Sequence, residues 1–160
     1  MNGPFHTTHT PTVPRPFSML PLAGRRLLVV EPILDHQSMY AEFLSRAGAE
    51  VSVEGDGCRA VERLKQGAVA GNSWDGILIS DHLPGLDGWQ ATRMIRAGGF
   101  TGVIVATTDE SLADVRHEWM ECGADRLLEK PFPLSVLRAI FRLQQADEVK
   151  ESPTGNKNGV

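Results

Sequence analysis

The sequence predicts an α/β domain: a parallel sheet with helices on both faces. Three observations carry that expectation. Short apolar runs alternate with helix-period segments five times between Arg25 and Ala146, the pattern of strand–helix crossover units with right-handed connections. The runs Leu27 to Val30, Ile77 to Ile79 and Val103 to Ala106 are apolar at every residue, as strands covered on both faces require. Polar residues follow these runs directly: Glu31, Ser80-Asp81 and Thr107-Thr108. In open α/β sheets that end of the strands is where ligands gather.

Each element has its own warrant. After the first strand, Met39, Tyr40, Phe43, Leu44 and Ala47 recur at helical spacing, and Gly48 stops the helix. Glu50 to Val53 reads as a short second strand. Asp56-Gly57 opens a helix whose apolar face is Ala60, Val61 and Leu64, and Gly67 to Ser73, small and polar, reads as loop. The third strand ends at Ser80 and is followed by two breaker pairs, Pro84-Gly85 and Asp87-Gly88. Asp87 is placed to cap a third helix carrying Trp89, Thr92, Met94 and Ile95, which Gly98-Gly99 ends. The fourth strand is followed by a helix from Asp109 to Cys122 with Leu112, Val115 and Trp119 on one face. Asp125 to Leu128 gives a fifth strand, and Leu134, Leu137, Ile140 and Phe141 face the last helix inward. The expected organisation is a flexible tail over 1–24, one domain over 25–146 and a second flexible tail over 147–160. The first of these is rich in Pro, Thr and His and lacks sustained apolar periodicity.

Composition narrows the function classes. An apolar share of 41% in 160 residues is ordinary for one globular domain. The net charge of -4 gives no reason to expect nucleic acid, and Arg93, Arg96, Arg116 and Arg126 form no basic stripe. Trp74, Trp89 and Trp119 read as core or surface aromatics rather than a base-stacking platform. Cys58 and Cys122 match no metal or redox spacing and are expected as reduced thiols. His6 and His9, lacking a third ligand, read as solvated residues. No apolar run reaches membrane-spanning length and no secretory signal is evident, so the expected location is the cytoplasm, without membrane contact.

Several linked motifs then carry a resemblance. Val29-Val30-Glu31, Asp56-Gly57, Leu83-Pro84-Gly85-Leu86-Asp87-Gly88, Thr107, Gly123-Ala124-Asp125 and Lys130-Pro131-Phe132, in this order and spacing, resemble the receiver domain of response regulators in two-component signalling. Pro21 to Arg26 also resembles the linker that often precedes a receiver in a hybrid histidine kinase. The resemblance implies a flavodoxin-like (βα)5 domain of three layers with strand order 2-1-3-4-5. It also implies a phosphorylation pocket: two acids after the first strand, the acceptor aspartate after the third, Thr or Ser after the fourth, and Lys before a cis Pro after the fifth. A magnesium ion would sit among the acids, because moving a phosphoryl group onto a carboxylate needs a hard cation with oxygen ligands.

The chain departs from that set at the chemistry. Glu31 stands at the first acidic position, but Pro32 occupies the second and has no side-chain oxygen. Ser80 stands where the acceptor aspartate belongs, four positions before Pro84. Thr107 and Lys130 match, and Leu127 falls where the family often has the aromatic switch residue. One remaining carboxylate beside an ammonium is a poor magnesium site. Lys130 is expected to pair with Glu31 or Asp81, or to bond to Ser80. Asp81 is one residue late, and strand alternation aims it to the opposite face unless a bulge restores it. The expectation is therefore a degenerate receiver, or pseudo-receiver, with no catalytic residues, cofactor or metal. If a metal were held, Glu31 and Asp81 would hold it. Such a domain would act in a phosphorelay by protein–protein contact with a histidine kinase, another receiver or a second copy, through the fourth helix, fifth strand and fifth helix. With the domain expected to fill 25–146 and only tails outside it, no helix-turn-helix output domain is expected in this sequence. Two alternatives stay open: an active phospho-acceptor using Asp81 with magnesium and catalysing its own phosphorylation and dephosphorylation, and a flavin-binding protein. The loop Glu31 to Asp35 lacks the Gly, Ser and Thr that would cradle a flavin phosphate.

Overall fold

The computed structural model describes residues 20–148, with side chains described as far as residue 143. Five strands alternate with five helices: β1 Arg26–Val30, α1 Leu34–Arg46, β2 Glu50–Glu54, α2 Gly57–Val69, β3 Gly76–Ser80, α3 Gly88–Ala97, β4 Val103–Thr108, α4 Leu112–Glu121, β5 Arg126–Glu129 and α5 Leu134–Glu148. All pairings are parallel and the sheet order is β2-β1-β3-β4-β5. This is the flavodoxin-like doubly wound topology. Its central strand β3 is buried at every residue, whereas β2 lies at an edge and is partly exposed, which matches the apolar runs of the one and the mixed character of the other.

Alternation along the strands divides the core in two. Leu28, Val30, Ile77, Ile79, Ile104 and Ala106 pack under α2, α3 and α4 with Ala60, Val61, Ala91, Ile95 and Trp119. Leu27, Val29, Leu78, Val103 and Val105 pack on the other face under α1 and α5, with Tyr40, Leu44, Leu137 and Phe141. Successive residues of a strand therefore serve different layers, and the same alternation decides which polar groups meet at the strand ends.

The boundaries differ from the sequence expectation at a few places. The packed region reaches upstream of Arg25: Leu22 is fully buried and its N–H donates to the Ala47 carbonyl at 2.8 Å. Helix α2 continues through Gly67 to Val69, where a loop was expected, because Gly67 packs closely on the Trp74 indole and Asn72. Helix α4 begins at Leu112 rather than Asp109, since β4 runs on through Thr108. Met94 is exposed, and Ala91 replaces it on the buried face of α3. The last helix extends to Glu148. Residues 1–19 and 149–160, the greater part of the two expected tails, lie outside the described residues.

Caps and turns hold the loops that carry the site. The Asp56 side chain accepts from the Arg59 N–H at 3.1 Å and starts α2. Gln90 accepts from the Asp87 N–H at 3.3 Å, one half of a capping box at α3. Gly85 turns with φ +79°, a conformation glycine adopts without strain. Gly88 lies against the Ser80 carbonyl, where a side chain would collide, and its N–H donates to the Asp81 carbonyl at 2.7 Å.

Candidate functional site

Four of the residues singled out in the sequence, Glu31, Ser80, Thr107 and Lys130, converge beyond the carboxyl ends of the strands, on the α1/α5 face. Glu31 follows β1 and is 1% exposed. One oxygen accepts from the Ile33 N–H at 3.1 Å; the other lies 3.4 Å from Lys130 Nζ. Lys130 also donates to Ser80 Oγ at 3.2 Å. Thr107 is the register partner of Ser80 across β3 and β4 and is equally buried. The Lys130–Pro131 peptide bond is cis. Pro32 is half-buried beside Glu31 and offers no side-chain oxygen. Leu127 points the other way, into the core under α2, α3 and α4.

The Lys130 ammonium thus lies between a buried carboxylate and a hydroxyl. The surroundings of Glu31 include two residues that the sequence did not assign to the site, one of them, Tyr40, read there only as part of a helix's apolar face. His36 Nδ1 lies 3.6 Å from a Glu31 oxygen. Tyr40 is buried and stacks on Phe132 with ring centroids 6.0 Å apart; its hydroxyl pKa is pushed up to about 12 by burial first, then by the negative charges of Glu31 and Asp109. Both residues sit on the inward face of α1, and their helical spacing (i, i+4) would have paired them.

Asp81 belongs to a different environment. The β3–β4 ladder keeps its register through Ser80 and Thr107, and the Asp81 N–H continues it to the Thr107 carbonyl at 3.0 Å. With no bulge, the side chain turns to the α3/α4 face. There Thr108 Oγ1 donates to Asp81 Oδ2 at 2.7 Å and the His82 N–H donates to Oδ1 at 2.8 Å. The Ser80 hydroxyl lies 3.5 Å from Oδ1, at the outer edge of hydrogen-bond reach. Burial pushes the Asp81 carboxyl up, but the Thr108 hydroxyl, the His82 N–H and ring, and the Asp109 N–H together outweigh it and hold the carboxyl below its ordinary value. Thr108 and His82 were not singled out in the sequence. The signal was there: Thr107-Thr108 repeats the Ser80-Asp81 offset, so period-2 alternation pairs Asp81 with Thr108.

Known proteins share this geometry. Residues 27–142 match the profile of the response regulator receiver domain. The chain belongs to the response regulator receiver domain family. Over 135 residues it is 33% identical to the transcriptional regulatory protein TcrA of Mycobacterium tuberculosis, covering 83% of this chain and 51% of that protein. Over 112 residues it is 30% identical to the sensor histidine kinase RcsC of Salmonella typhimurium, covering 70% of this chain and 11% of that protein. The chain therefore spans between about a tenth and a half of the length of these receiver-bearing relatives. Among solved receivers, that of a sensor histidine kinase from Pseudomonas aeruginosa PAO1, with a magnesium ion coordinated in its active-site cleft, superposes with a TM-score of 0.67. It is 32% identical, with 76% of this chain and 97% of that one covered. The BeF3-activated N-terminal receiver of Klebsiella pneumoniae RstA gives a TM-score of 0.64 at 32% identity, with 74% of this chain and 97% of that one covered. The protein is thus a receiver domain of two-component signalling, a family whose members serve both response regulators and histidine kinases. Among the described residues no helix is long and apolar enough to cross a membrane.

Proposed function

We propose that this receiver works without aspartyl phosphate, transmitting its signal by protein–protein contact. The observation that carries the reading is the Lys130 ammonium held at 3.4 Å from Glu31 and 3.2 Å from Ser80. In this pocket the acceptor position holds a hydroxyl in place of a carboxylate, a weak nucleophile that reaches the Asp81 carboxylate only at 3.5 Å, the outer edge of hydrogen-bond distance. Lys130 is the nearest group, and an ammonium cannot take its proton.

The donor set does not fit magnesium. That ion asks for near-octahedral oxygen ligands, commonly including carboxylates. Neither Pro32 nor Ser80 supplies a carboxylate, and the remaining one, Glu31, is engaged by Lys130. Asp81 does not make up the loss, because its carboxylate is bonded to Thr108 and His82 on the opposite face. On this reading the domain has no catalytic residue and needs no cofactor at the family pocket. Its partners are other signalling proteins, a histidine kinase or another receiver being the natural candidates, and the surface of α4, β5 and α5 is the one through which such contact or homodimerisation would run. That last assignment is analogy from fold.

The test is intact mass after incubation with acetyl phosphate and magnesium, wild type beside Asp81→Asn and Ser80→Asp. The expected result is no phosphoryl adduct on the wild type. A wild-type adduct that disappears in Asp81→Asn would overturn the reading and make the protein a phosphorylation switch.

A further inference from the structure

On the other side of the sheet end, the polar groups around Asp81 make a second constellation that the family pocket does not use. His82 Nε2 lies 3.8 Å from Asp81 Oδ2 and 3.8 Å from Glu110 Oε1. One donor atom from each of the three residues falls within 4.8 Å of the others. We propose that Asp81, His82 and Glu110 bind a divalent transition-metal ion of the zinc or manganese class, at a site distinct from the receiver's magnesium pocket.

Three independent features support the site. The first is its ligand chemistry: an imidazole with two carboxylates suits first-row transition ions, whereas magnesium and calcium prefer oxygen donors alone. Ligands about 2.0–2.2 Å from a tetrahedral zinc lie roughly 3.4 Å apart, so the two 3.8 Å spacings from His82 need a small contraction, and the Asp81 and Glu110 oxygens, within 4.8 Å of each other, need a larger one. His82 and Glu110 have side chains 72% and 52% exposed, free to make that movement, while Asp81 is the fixed member.

The second is space and charge. A cavity of about 130 Å³ opens at these atoms, room for an ion with bound water. Four carboxylates line it, from Asp81, Asp87, Glu110 and Glu118, and its lining contains neither lysine nor arginine. The family pocket has the opposite balance, with its single carboxylate answered by Lys130.

The third is positioning. Thr108 Oγ1 donates to Asp81 Oδ2 at 2.7 Å and accepts from the Glu110 N–H at 2.9 Å. One hydroxyl therefore orients the Asp81 carboxylate and the backbone of Glu110 together, the outer-shell support that metal ligands ordinarily have.

Trp89 and Trp119 line the same cavity and supply the readout. The metal-free full-length protein would be titrated with Mn²⁺, then with Zn²⁺ and Mg²⁺, following tryptophan emission and heat of binding. The expected result is saturable quenching by Mn²⁺ at one ion per chain and competition by Zn²⁺ in preference to Mg²⁺. His82→Ala and Glu110→Gln, both at exposed positions, are each expected to weaken Mn²⁺ binding roughly tenfold or more. His6→Ala/His9→Ala is expected to leave it unchanged. Quenching absent in the wild type, unaltered by His82→Ala, or abolished by the His6/His9 substitution would overturn the proposal. Loss in Glu31→Gln instead of His82→Ala would also overturn it, and would move the ion into the family pocket. The metal titration contains no phosphodonor and the acetyl phosphate experiment reads only a covalent adduct, so failure of the contact-based reading and failure of the metal site are told apart.

Discussion

Lys130 and Glu31 set the character of the family pocket through a buried ion pair whose members differ in what they lose when separated. The Glu31 side chain is 2% exposed and that of Lys130 11%, so neither ion recovers full hydration when its partner is removed. Breaking such a pair leaves an uncompensated buried charge, worth about 3–5 kcal/mol, while replacing both partners by apolar groups is often nearly neutral. Lys130→Met alone is therefore expected to destabilise the domain by about 3 kcal/mol or more, and Lys130→Met/Glu31→Leu by clearly less than the sum of the two singles. Urea denaturation of the four proteins checks this. Additive losses would mean that the 3.4 Å contact is incidental, and that Lys130 does not neutralise Glu31.

At the scale of elements, the site depends on how the β3–α3 loop is pinned to the end of β3. Gly88 opens α3 directly against the Ser80 carbonyl, and a Cβ there would also meet the Trp119 ring at 2.9 Å. Backbone cannot give way as a flexible side chain can, so Gly88→Ala is expected to cost about 3 kcal/mol, the upper end for overpacking, and to perturb Trp119 fluorescence. A loss under about 1 kcal/mol, the low end of that range, would show the loop to be free of the strand. Much of this arrangement was legible in the sequence. The apolar runs marked the strands, Asp56 and Asp87 announced the helix starts, and period-2 alternation separated Asp81 from Ser80. The departure at Ser80 was readable because the Leu83-Pro84-Gly85 register is fixed by turn chemistry, and that at Pro32 because it directly follows Glu31 at the end of the first apolar run. What was not legible came from tertiary contact. Helix α2 runs on to Val69 because Trp74, beyond the end of the helix, packs back on Gly67. His36, Tyr40 and Glu110 join the strand-end chemistry only once α1 and the β4–α4 loop are folded over the sheet.

For the whole molecule, the sheet acts as a partition between two chemistries. One set of alternating positions builds the Glu31–Ser80–Lys130 cluster over the α1/α5 layer; the other builds the Asp81–Thr108 cluster over α3 and α4. The two touch through the weak Ser80–Asp81 approach at 3.5 Å. The α1/α5 layer is closed at the amino-terminal ends of the strands by a segment that sequence patterning had assigned to a tail. Leu22 is fully buried there, packing with the Leu27, Leu44 and Ala47 cluster, and its N–H and carbonyl bond to Ala47 and Arg25. A fully buried leucine truncated to alanine costs about 2–5 kcal/mol, so Leu22→Ala is expected to lower the denaturation midpoint by an amount typical of a core position, with an unchanged slope. If the loss were only a few tenths of a kcal/mol, Leu22 would be a peripheral contact and the domain would begin at Arg25 after all. A core-sized loss would extend the structural unit upstream of residue 27, where the family match starts, and would tie the chain leading into the receiver to the layer that carries Glu31 and Tyr40.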